Sequence, residues 1–352
     1  MAEDPNRESH QQPGKETLSN EKTTRDAVVW AYRLLLGREP ESEAIVEEHL
    51  AASPELSRLR EVFIGSGEFR SRAPAALKLI IGGDEPPRTI ETTGDAALLQ
   101  RLFDHVNRSW HHLGETDPYW SVLTSPQYRG KPSDEDIERF FESGAAEAKR
   151  VEAALARVGM TLDGRDTCIE YGCGLGRVTR HLAPHFTHMT GVDISAAHLK
   201  LARELADAAG IGGIDWLHLD TIDRLSALPK ADFIYSMIVL QHNPPPVIEK
   251  ILMAFARLLK PGGIAFFQVP TYRVDYEFRL AEYLRDQVGR KEMEMHAFPQ
   301  ARVFEIFADA GAVPLSVIED GATGNRRGER SNTFVFQARR AGSERDVTRW
   351  LP

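Results

Sequence analysis

A glycine-rich turn between an apolar segment and a helix constrains the fold of this chain more than any other feature. The apolar segment runs from Thr167 to Tyr171, and glycines follow at Gly172, Gly174 and Gly176. From residue 166 onward, short apolar segments alternate with helical ones, which is typical of a parallel sheet with helices on both faces. In such sheets a ligand binds beyond the carboxyl ends of the strands. The sequence therefore predicts an α/β fold with a binding site beside this turn.

The alternation also predicts where the elements lie. Predicted strands run over residues 167–171, 189–193, 214–219, 233–239 and 264–269, with helices over 176–185 and 196–209. A longer helix, residues 134–158 with Ser133 as its cap, precedes them. Near Trp110 and Trp120 the chain carries aromatic residues that either close over a ligand or pack the linker onto the following domain. We favour the packing interpretation.

Two cofactors bind to glycine turns of this kind, a nicotinamide dinucleotide and S-adenosylmethionine. A dinucleotide fingerprint requires its third glycine three positions after the second, where this chain has Arg177. Glu170, two residues before the first glycine, would repel a pyrophosphate but suits the cationic amino group of a methionine moiety. Asp193 ends the next predicted strand, 21 residues after Gly172, at a spacing that places a carboxylate on ribose hydroxyls. The pattern therefore favours S-adenosylmethionine.

The chain resembles the class I S-adenosylmethionine-dependent methyltransferases from residue 161 to about 340. The resemblance rests on residues 169–177, 191–195, 219–220, 236–242 and 259–263. It implies a Rossmann-like, doubly wound, seven-stranded and mostly parallel sheet. The cofactor-binding residues that it implies are Glu170, Gly172, Cys173, Gly174, Asp193, Ile194, Asp220, Thr221, Ser236 and Met237.

Within that implied site, Asp193 would bind the ribose and Ile194 would pack on the adenine. Asp220 would receive the adenine amino group, although a helix N-cap at Asp220 is an equal alternative. Ser236 and Met237 would border the sulfonium. We expect no metal ion, because no second acidic cluster accompanies this pattern.

Two histidines are candidates for the base that a hydroxyl acceptor would require, since the unperturbed pKa of histidine lies near neutrality. His242 follows the fourth predicted strand, and His296 follows an insertion of about 25 residues after the fifth. Either histidine is equally a structural one. The insertion is rich in aromatic residues and arginine, which suits a sugar or an anionic acceptor but also an ordinary amphipathic helix. Asn243 is interpreted as a helix N-cap with Pro244 at the first helical position.

The N-terminal region resembles a bacterial domain of unknown function found in surface-polysaccharide enzymes. The matching residues are 32–40, which include Gly37 and Arg38, and 66–69, which include Glu68. The resemblance implies an envelope-glycan context. The predicted organisation is a disordered tail (1–23), a small all-α domain (24–73), a linker and helical cap (74–160), the methyltransferase domain (161–341) and a C-terminal tail (342–352).

Composition narrows the class of protein. A net charge of −9 argues against a general nucleic-acid binder. No apolar run approaches the ~20 residues that span a bilayer, and the two cysteines, Cys168 and Cys173, are too few for a disulfide framework. We expect a cytoplasmic protein.

The leading hypothesis is O-methylation of a glycan, a lipid-linked saccharide or a related small molecule, with the N-terminal helices available to a docking partner. The alternative is a catalytically silent scaffold or binding module in envelope polysaccharide assembly. A nicotinamide oxidoreductase comes third.

Overall fold

A computed structural model of the chain describes residues 21–72, 88–286, 288, 293–323 and 328–339. The expected disordered tail falls almost wholly outside these residues, and the C-terminal tail, 342–352, falls wholly outside them. Contacts divide the chain into two compact units, one up to Glu85 and one from Pro86 onward. Each unit is described by itself.

Four short helices and a π-helical turn form the N-terminal unit. They are α1 (Arg25–Ala31), the π-turn (Tyr32–Leu36), α2 (Glu43–Ala52), α3 (Leu56–Gly65) and α4 (Gly67–Arg72). Thr24 caps α1 through the backbone N–H of Ala27, and Ser42 caps α2. The buried core of this unit consists of Val28, Tyr32, Leu36, Val46, Leu59 and Phe63.

The two halves of the N-terminal sequence motif are joined in the structure. Gly37 ends the π-turn with φ of +63°, in the left-handed region that glycine adopts without strain. Arg38 donates two hydrogen bonds, of 2.6 and 2.7 Å, to the carboxylate of Glu68, and its guanidinium lies 4.7 Å from the ring centroid of Tyr32. The motif residues therefore stabilise this small unit.

A seven-stranded sheet forms the centre of the second unit, within the residues that the structure describes. Its strands are β1 (Thr167–Tyr171), β2 (His188–Asp193), β3 (Ile214–His218), β4 (Ala231–Ser236), β5 (Leu259–Arg273), β6 (Ala312–Glu319) and β7 (Glu329–Ala338). The order is β3-β2-β1-β4-β5-β7-β6; β7 runs antiparallel to β5 and β6, and the other neighbouring pairs are parallel. This sheet confirms the predicted fold class. The strand order reverses between β1 and β4, which is where doubly wound sheets bind ligands.

Helices cover both faces of the sheet. They are α5 (Ala96–Thr116), α6 (Pro118–Val122), α7 (Asp134–Arg157), α8 (Thr179–Leu182), α9 (Ala196–Ala208), α10 (Pro245–Leu258), α11 (Leu280–Asp286) and α12 (Gln300–Asp309). Neighbouring residues of β1 point to opposite faces, so that Cys168 and Ile169 belong to two different apolar clusters. Ser133 caps α7 with a capping box, as the sequence predicts.

Several boundaries differ from the prediction. β4 ends at Ser236 rather than at 239, because Ile238 has a left-handed φ of +58° and breaks the strand. α10 has Pro244 at its N-cap and Pro245 at the first helical position, so the predicted cap at Asn243 is off by one residue. The helix expected over 176–185 is only the four residues of α8 and a following 3₁₀ turn. The longest missed element is α5.

Candidate functional site

A cavity of about 270 Å³ lies at the carboxyl ends of β1, β2 and β4. Its floor is the glycine turn, and its walls come from α5, α6, α7, the segment after β4 and the turn after β6. The residues that line it are Trp110, Ser121, Val122, Leu123, Glu147, Arg150, Glu170, Tyr171, Gly172, Cys173, Gly174, Arg177, Val178, Asp193, Ile194, His198, Tyr235, Met237, Ile238, Val239, Asn243, Asp320 and Ala322. Seven of the ten predicted cofactor residues are among them.

Two features require glycine at the first two glycine positions of the turn: the positive φ of the backbone and the lack of room for a Cβ. Gly172 has φ of +76° and Gly174 has φ of +52°. A Cβ on Gly172 would lie 2.4 Å from a methyl carbon of Val239, and one on Gly174 would lie 2.8 Å from a methyl carbon of Val122. Side chains of the protein therefore pack closely on this turn, yet both glycines still line the cavity.

Asp193 is held in a single orientation at the edge of the cavity. Its Oδ2 accepts a 2.8 Å hydrogen bond from the backbone N–H of Gly174, and its Oδ1 accepts one of 2.8 Å from Ser195. Because a carboxylate oxygen accepts two hydrogen bonds, each oxygen keeps a free lone pair for a ligand. This carboxylate couples the glycine turn to the end of β2.

Glu170 carries the most perturbed carboxyl group of the cavity. Its side chain is 4% exposed, and its Oε2 has no hydrogen-bond partner among the described residues. Burial raises the pKa of Glu170 to about 8, because the charged form is poorly solvated there. A ligand with a positive charge would restore the ionised carboxylate and give Oε2 a partner.

Three predicted cofactor residues do not line the cavity. The hydroxyl of Ser236 is buried and donates to the carbonyl of Tyr171 at 2.9 Å. Asp220 is exposed and forms a 3.0 Å ion pair with Arg224. Thr221 occupies the N-cap position of a 3₁₀ helix over Ile222–Ala227. The helix N-cap that the sequence offered as an alternative role for Asp220 therefore lies one residue later.

His242 lies outside the cavity lining, with both ring nitrogens bonded. Nδ1–H donates to the carbonyl of Glu294 at 2.8 Å, and Nε2 accepts from the side-chain amide of Gln241 at 3.3 Å. Burial lowers its pKa to about 4, so the ring is neutral at physiological pH. Its ring centroid is 5.1 Å from that of Trp110, which does line the cavity. The contacts of His242 are those of a supporting residue.

His296 belongs to a separate buried cluster around Glu294. Its Nε2 lies 2.8 Å from Glu294 Oε2, and its Nδ1 lies 2.8 Å from the hydroxyl of Tyr276. His105 and the hydroxyl of Tyr283 also bond to the carboxylate, at 2.9 and 2.6 Å. Burial alone would raise the pKa of Glu294, but these hydrogen bonds lower it to about 2. The cluster ties α5 and α11 to the segment that carries His296.

The structure also places in the site Trp110, one of the aromatic residues that the sequence interpreted as closing over a ligand or packing the linker, and residues that the sequence did not single out. The described aromatic and basic residues of the insertion after β5 do not line the cavity, whereas the α6 residues and α7 residues such as Glu147 do. His198 of α9 also lines it. The hydroxyl of Ser121 donates to the carbonyl of Pro118 at 2.9 Å, so the 2.8 Å contact with His198 is a bond from Nε2–H to Ser121. No short motif could have revealed these long-range contacts.

Two further findings concern the described residues as a whole. No group of three or more histidine, cysteine, aspartate and glutamate side chains in the described ranges could hold a metal ion. In the same part of the chain, no helix combines the length and apolar character needed to cross a membrane.

Comparison with known proteins identifies the class of the central segment. Residues 168–263, about a quarter of the chain, match the family model described as a methyltransferase domain. This segment contains β1 to β4 and the glycine turn. The second unit is therefore an α/β unit whose core is similar to methyltransferase domains.

Individual relatives match the chain over short alignments. An S-adenosyl-L-methionine-dependent Diels–Alderase of Talaromyces variabilis is 40% identical over 99 residues, which cover 27% of this chain and 33% of that protein. The ubiquinone biosynthesis O-methyltransferase of Nitrosococcus oceani is 29% identical over 152 residues, 42% of this chain and 63% of that protein. The chain thus spans between a third and about three fifths of these relatives' length.

Solved structures match the chain at lower sequence identity. The magnesium protoporphyrin IX methyltransferase of Synechocystis PCC 6803, crystallised with bound SAH, is 18% identical with a TM-score of 0.46, covering 67% of this chain and 99% of that chain. An N-methyltransferase of Bradyrhizobium japonicum WM9 is 16% identical with a TM-score of 0.43, covering 68% of this chain and 98% of that chain.

Proposed function

We propose that the chain is an S-adenosylmethionine-dependent methyltransferase with its cofactor in the cavity above the glycine turn. The observation that carries this proposal is the buried, unpartnered Oε2 of Glu170, which lines the same cavity as the fixed carboxylate of Asp193. A zwitterionic nucleoside with an ammonium group and ribose hydroxyls supplies the donors that these two carboxylates need.

Each wall residue then has a defined task. Glu170 receives the ammonium group, and Asp193 accepts from the ribose hydroxyls with its two free lone pairs. Gly172 and Gly174 allow a close approach of the backbone, and Ile194 provides an apolar surface for the adenine. The bound cofactor supplies an electrophilic methyl group on a positively charged sulfur. The protein's contribution is to orient the two reactants and to exclude water.

The acceptor that we propose is a hydroxyl group of a small molecule or saccharide. Several curated relatives are named ubiquinone biosynthesis O-methyltransferases, which favours oxygen as the methylated atom. The resemblance of residues 32–69 to a domain of surface-polysaccharide enzymes favours a saccharide. With His242 and His296 bonded outside the cavity lining, we propose supporting roles for both. The proton that the hydroxyl loses on methyl transfer then passes to water or to a carboxylate that lines the cavity, Glu147 or Asp320.

The main competing function is cofactor binding without methyl transfer, whether as a scaffold or in another reaction. It deserves a direct test, because the relative with 40% identity is named an S-adenosyl-L-methionine-dependent Diels–Alderase. Binding of the cofactor therefore does not by itself establish methyl transfer. The formation of S-adenosylhomocysteine distinguishes the two functions.

The test combines calorimetry with a labelled-donor screen. We expect S-adenosylmethionine to bind, and Asp193→Ala to weaken binding about fivefold to two-hundredfold, the loss of charge-assisted hydrogen bonds. Asp215→Ala, in the exposed part of the neighbouring strand β3, is the matched control and should bind normally. The screen offers methyl-labelled donor with neutral saccharides, lipid-linked saccharides and quinols. Absence of cofactor binding refutes the proposal, and binding without S-adenosylhomocysteine formation favours the competing function.

A further inference from the structure

The part of the cavity wall that does not belong to the glycine turn or to the end of β2 has a distinct chemistry. It is formed by α7, by the segment after β4 and by the turn after β6. Its polar members include Glu147, Asn243 and Asp320, and Ile238 adds an apolar surface that is 42% exposed. If the cofactor occupies the glycine-turn side, as proposed above, this wall faces the acceptor.

Glu147 gives the wall a negative charge that its neighbour compensates poorly. Its side chain is 13% exposed and forms a 2.9 Å ion pair with Arg150, whose side chain is 73% exposed. The guanidinium lies mostly in water, where its field is screened, while the carboxylate lies mostly out of water. The hydroxyl of Tyr235 also faces Glu147, at 3.4 Å. The cavity therefore experiences the carboxylate more strongly than the guanidinium.

Asp320, which follows β6, adds a second carboxylate to the cavity lining. Its described partners are uncharged donors, the backbone N–H of Ala322 at 2.8 Å and the hydroxyl of Thr333 at 2.7 Å. These bonds fix its orientation without cancelling its charge.

Asn243 contributes a free hydrogen-bond acceptor. Its Nδ2 donates to the carbonyl of Val239 at 3.0 Å, which determines which end of the amide is the oxygen. The side chain is 3% exposed, and Oδ1 has no partner among the described residues. A buried, unpaired carbonyl oxygen is costly unless a ligand donates to it.

We propose that this wall selects an acceptor that is neutral or cationic, carries hydroxyl or amino donors and has one apolar face. The inference rests on the proposed function, because it assigns the remaining wall to the acceptor. Two carboxylates and an amide oxygen can only accept hydrogen bonds, so a ligand with donors satisfies them and an anionic ligand is repelled. The cation Arg177, which also lines the cavity, follows the glycine turn and bonds to Ser143 of α7 at 3.1 Å, and its charge favours the ionised form of Glu170. Neutral saccharides fit this wall, whereas diphosphate-linked ones do not.

The experiment measures charge preference without needing the natural acceptor. Sinefungin is an analogue of the cofactor in which a protonated amine stands where the methyl group would be, and S-adenosylhomocysteine has no group there. Calorimetry at low salt gives the ratio of their Kd values, which reports the sum of the charges around the methyl position. We expect sinefungin to bind more tightly.

Neutralising the wall should reduce that preference. In Glu147→Gln and Asp320→Asn we expect the ratio to fall about threefold to tenfold, the effect of one unit charge across a partly screened cavity, with the Kd of S-adenosylhomocysteine nearly unchanged. The matched controls are Glu152→Gln on α7 and Glu319→Gln beside Asp320, which carry the same charge change outside the cavity lining.

The outcomes separate the two proposals. A ratio that stays the same in Glu147→Gln and Asp320→Asn, or a preference for S-adenosylhomocysteine in the unmodified protein, overturns the acceptor assignment. A phosphate- or carboxylate-bearing product in the labelled-donor screen also overturns it. Failure of the unmodified protein to bind either analogue refutes the proposed function itself.

Discussion

Cofactor binding should weaken as the pH falls below 8, because Glu170 must be ionised to receive the ammonium group. In the free protein, burial holds the pKa of this carboxyl at about 8, so most molecules carry a protonated Glu170 at neutral pH. A bound cation favours the ionised form and lowers that pKa. Binding therefore releases the proton of Glu170. Because this proton is harder to remove at lower pH, binding weakens as the pH falls.

The magnitude follows from the position of the pKa. Well below pH 8, affinity should fall about tenfold for each pH unit, so that Kd rises about thirtyfold between pH 7.0 and pH 5.5. Over that range the amino group of the cofactor remains protonated, because the usual pKa of an α-amino group is about 7.7–8.0 or higher. At pH 7, close to one proton should be released for each molecule bound.

Isothermal titration calorimetry with S-adenosylhomocysteine measures both quantities. The pH series gives the slope of log Kd, and titrations at pH 7 in buffers with different ionisation enthalpies give the number of protons released. Glu170→Gln should bind more weakly at pH 7 and lose the slope. A flat pH profile in the unmodified protein, or the same slope in Glu170→Gln, would refute the assignment of Glu170 to the ammonium group.

Two further predictions concern the fold around the site. Glu294→Gln should lower the free energy of unfolding by about 2–4 kcal/mol at pH 7, since it removes the charge that His105 and His296 face; Glu282→Gln, which is exposed on α11, is the control in urea unfolding. Because the pKa of Glu294 is about 2 in the folded protein and near 4.5 in the unfolded chain, its contribution is complete above pH 4.5 and is lost as the pH falls toward 2. Gly174→Ala should weaken cofactor binding more than tenfold, because its Cβ would collide with Val122. Gly130→Ala is the control, because Gly130 has a similar positive φ but an added Cβ would meet nothing within 4 Å. This variant carries the cost of the backbone conformation alone and should leave the affinity measured by calorimetry unchanged.

The sheet could be predicted from the sequence because its signals are local. β1, β2 and β4 are buried apolar runs, and the glycine turn follows β1 directly. Hydrophobic periodicity and turn residues need only a few neighbours to be recognised. Glu170 and Asp193 could be placed near the cavity for the same reason, since Glu170 is the last residue but one of β1 and Asp193 is the last residue of β2.

The cavity walls could not be predicted, because they depend on contacts far apart in the chain. Glu147 and Asp320 meet the same cavity from positions 173 residues apart. α5 was missed because its buried stripe, which includes Leu99, Leu102 and Phe103, is interrupted by charged residues and histidines. Ser236 was assigned to the cofactor from its position after β4, but its hydroxyl already bonds to the carbonyl of Tyr171. Position along the chain does not show which hydrogen bonds a side chain has already made.

We propose that neither His242 nor His296 is the base, because both rings already make other contacts. A base must reach the reacting atom with a free lone pair. Nε2 of His242 accepts from Gln241, and His296 lies between Glu294 and Tyr276. His242 connects the segment after β5 to the cavity indirectly, since it bonds to the backbone of Glu294 and packs against Trp110. His242→Ala should therefore act by releasing Trp110, and would change the affinity for S-adenosylhomocysteine, which a base that acts only on the acceptor would leave unaltered.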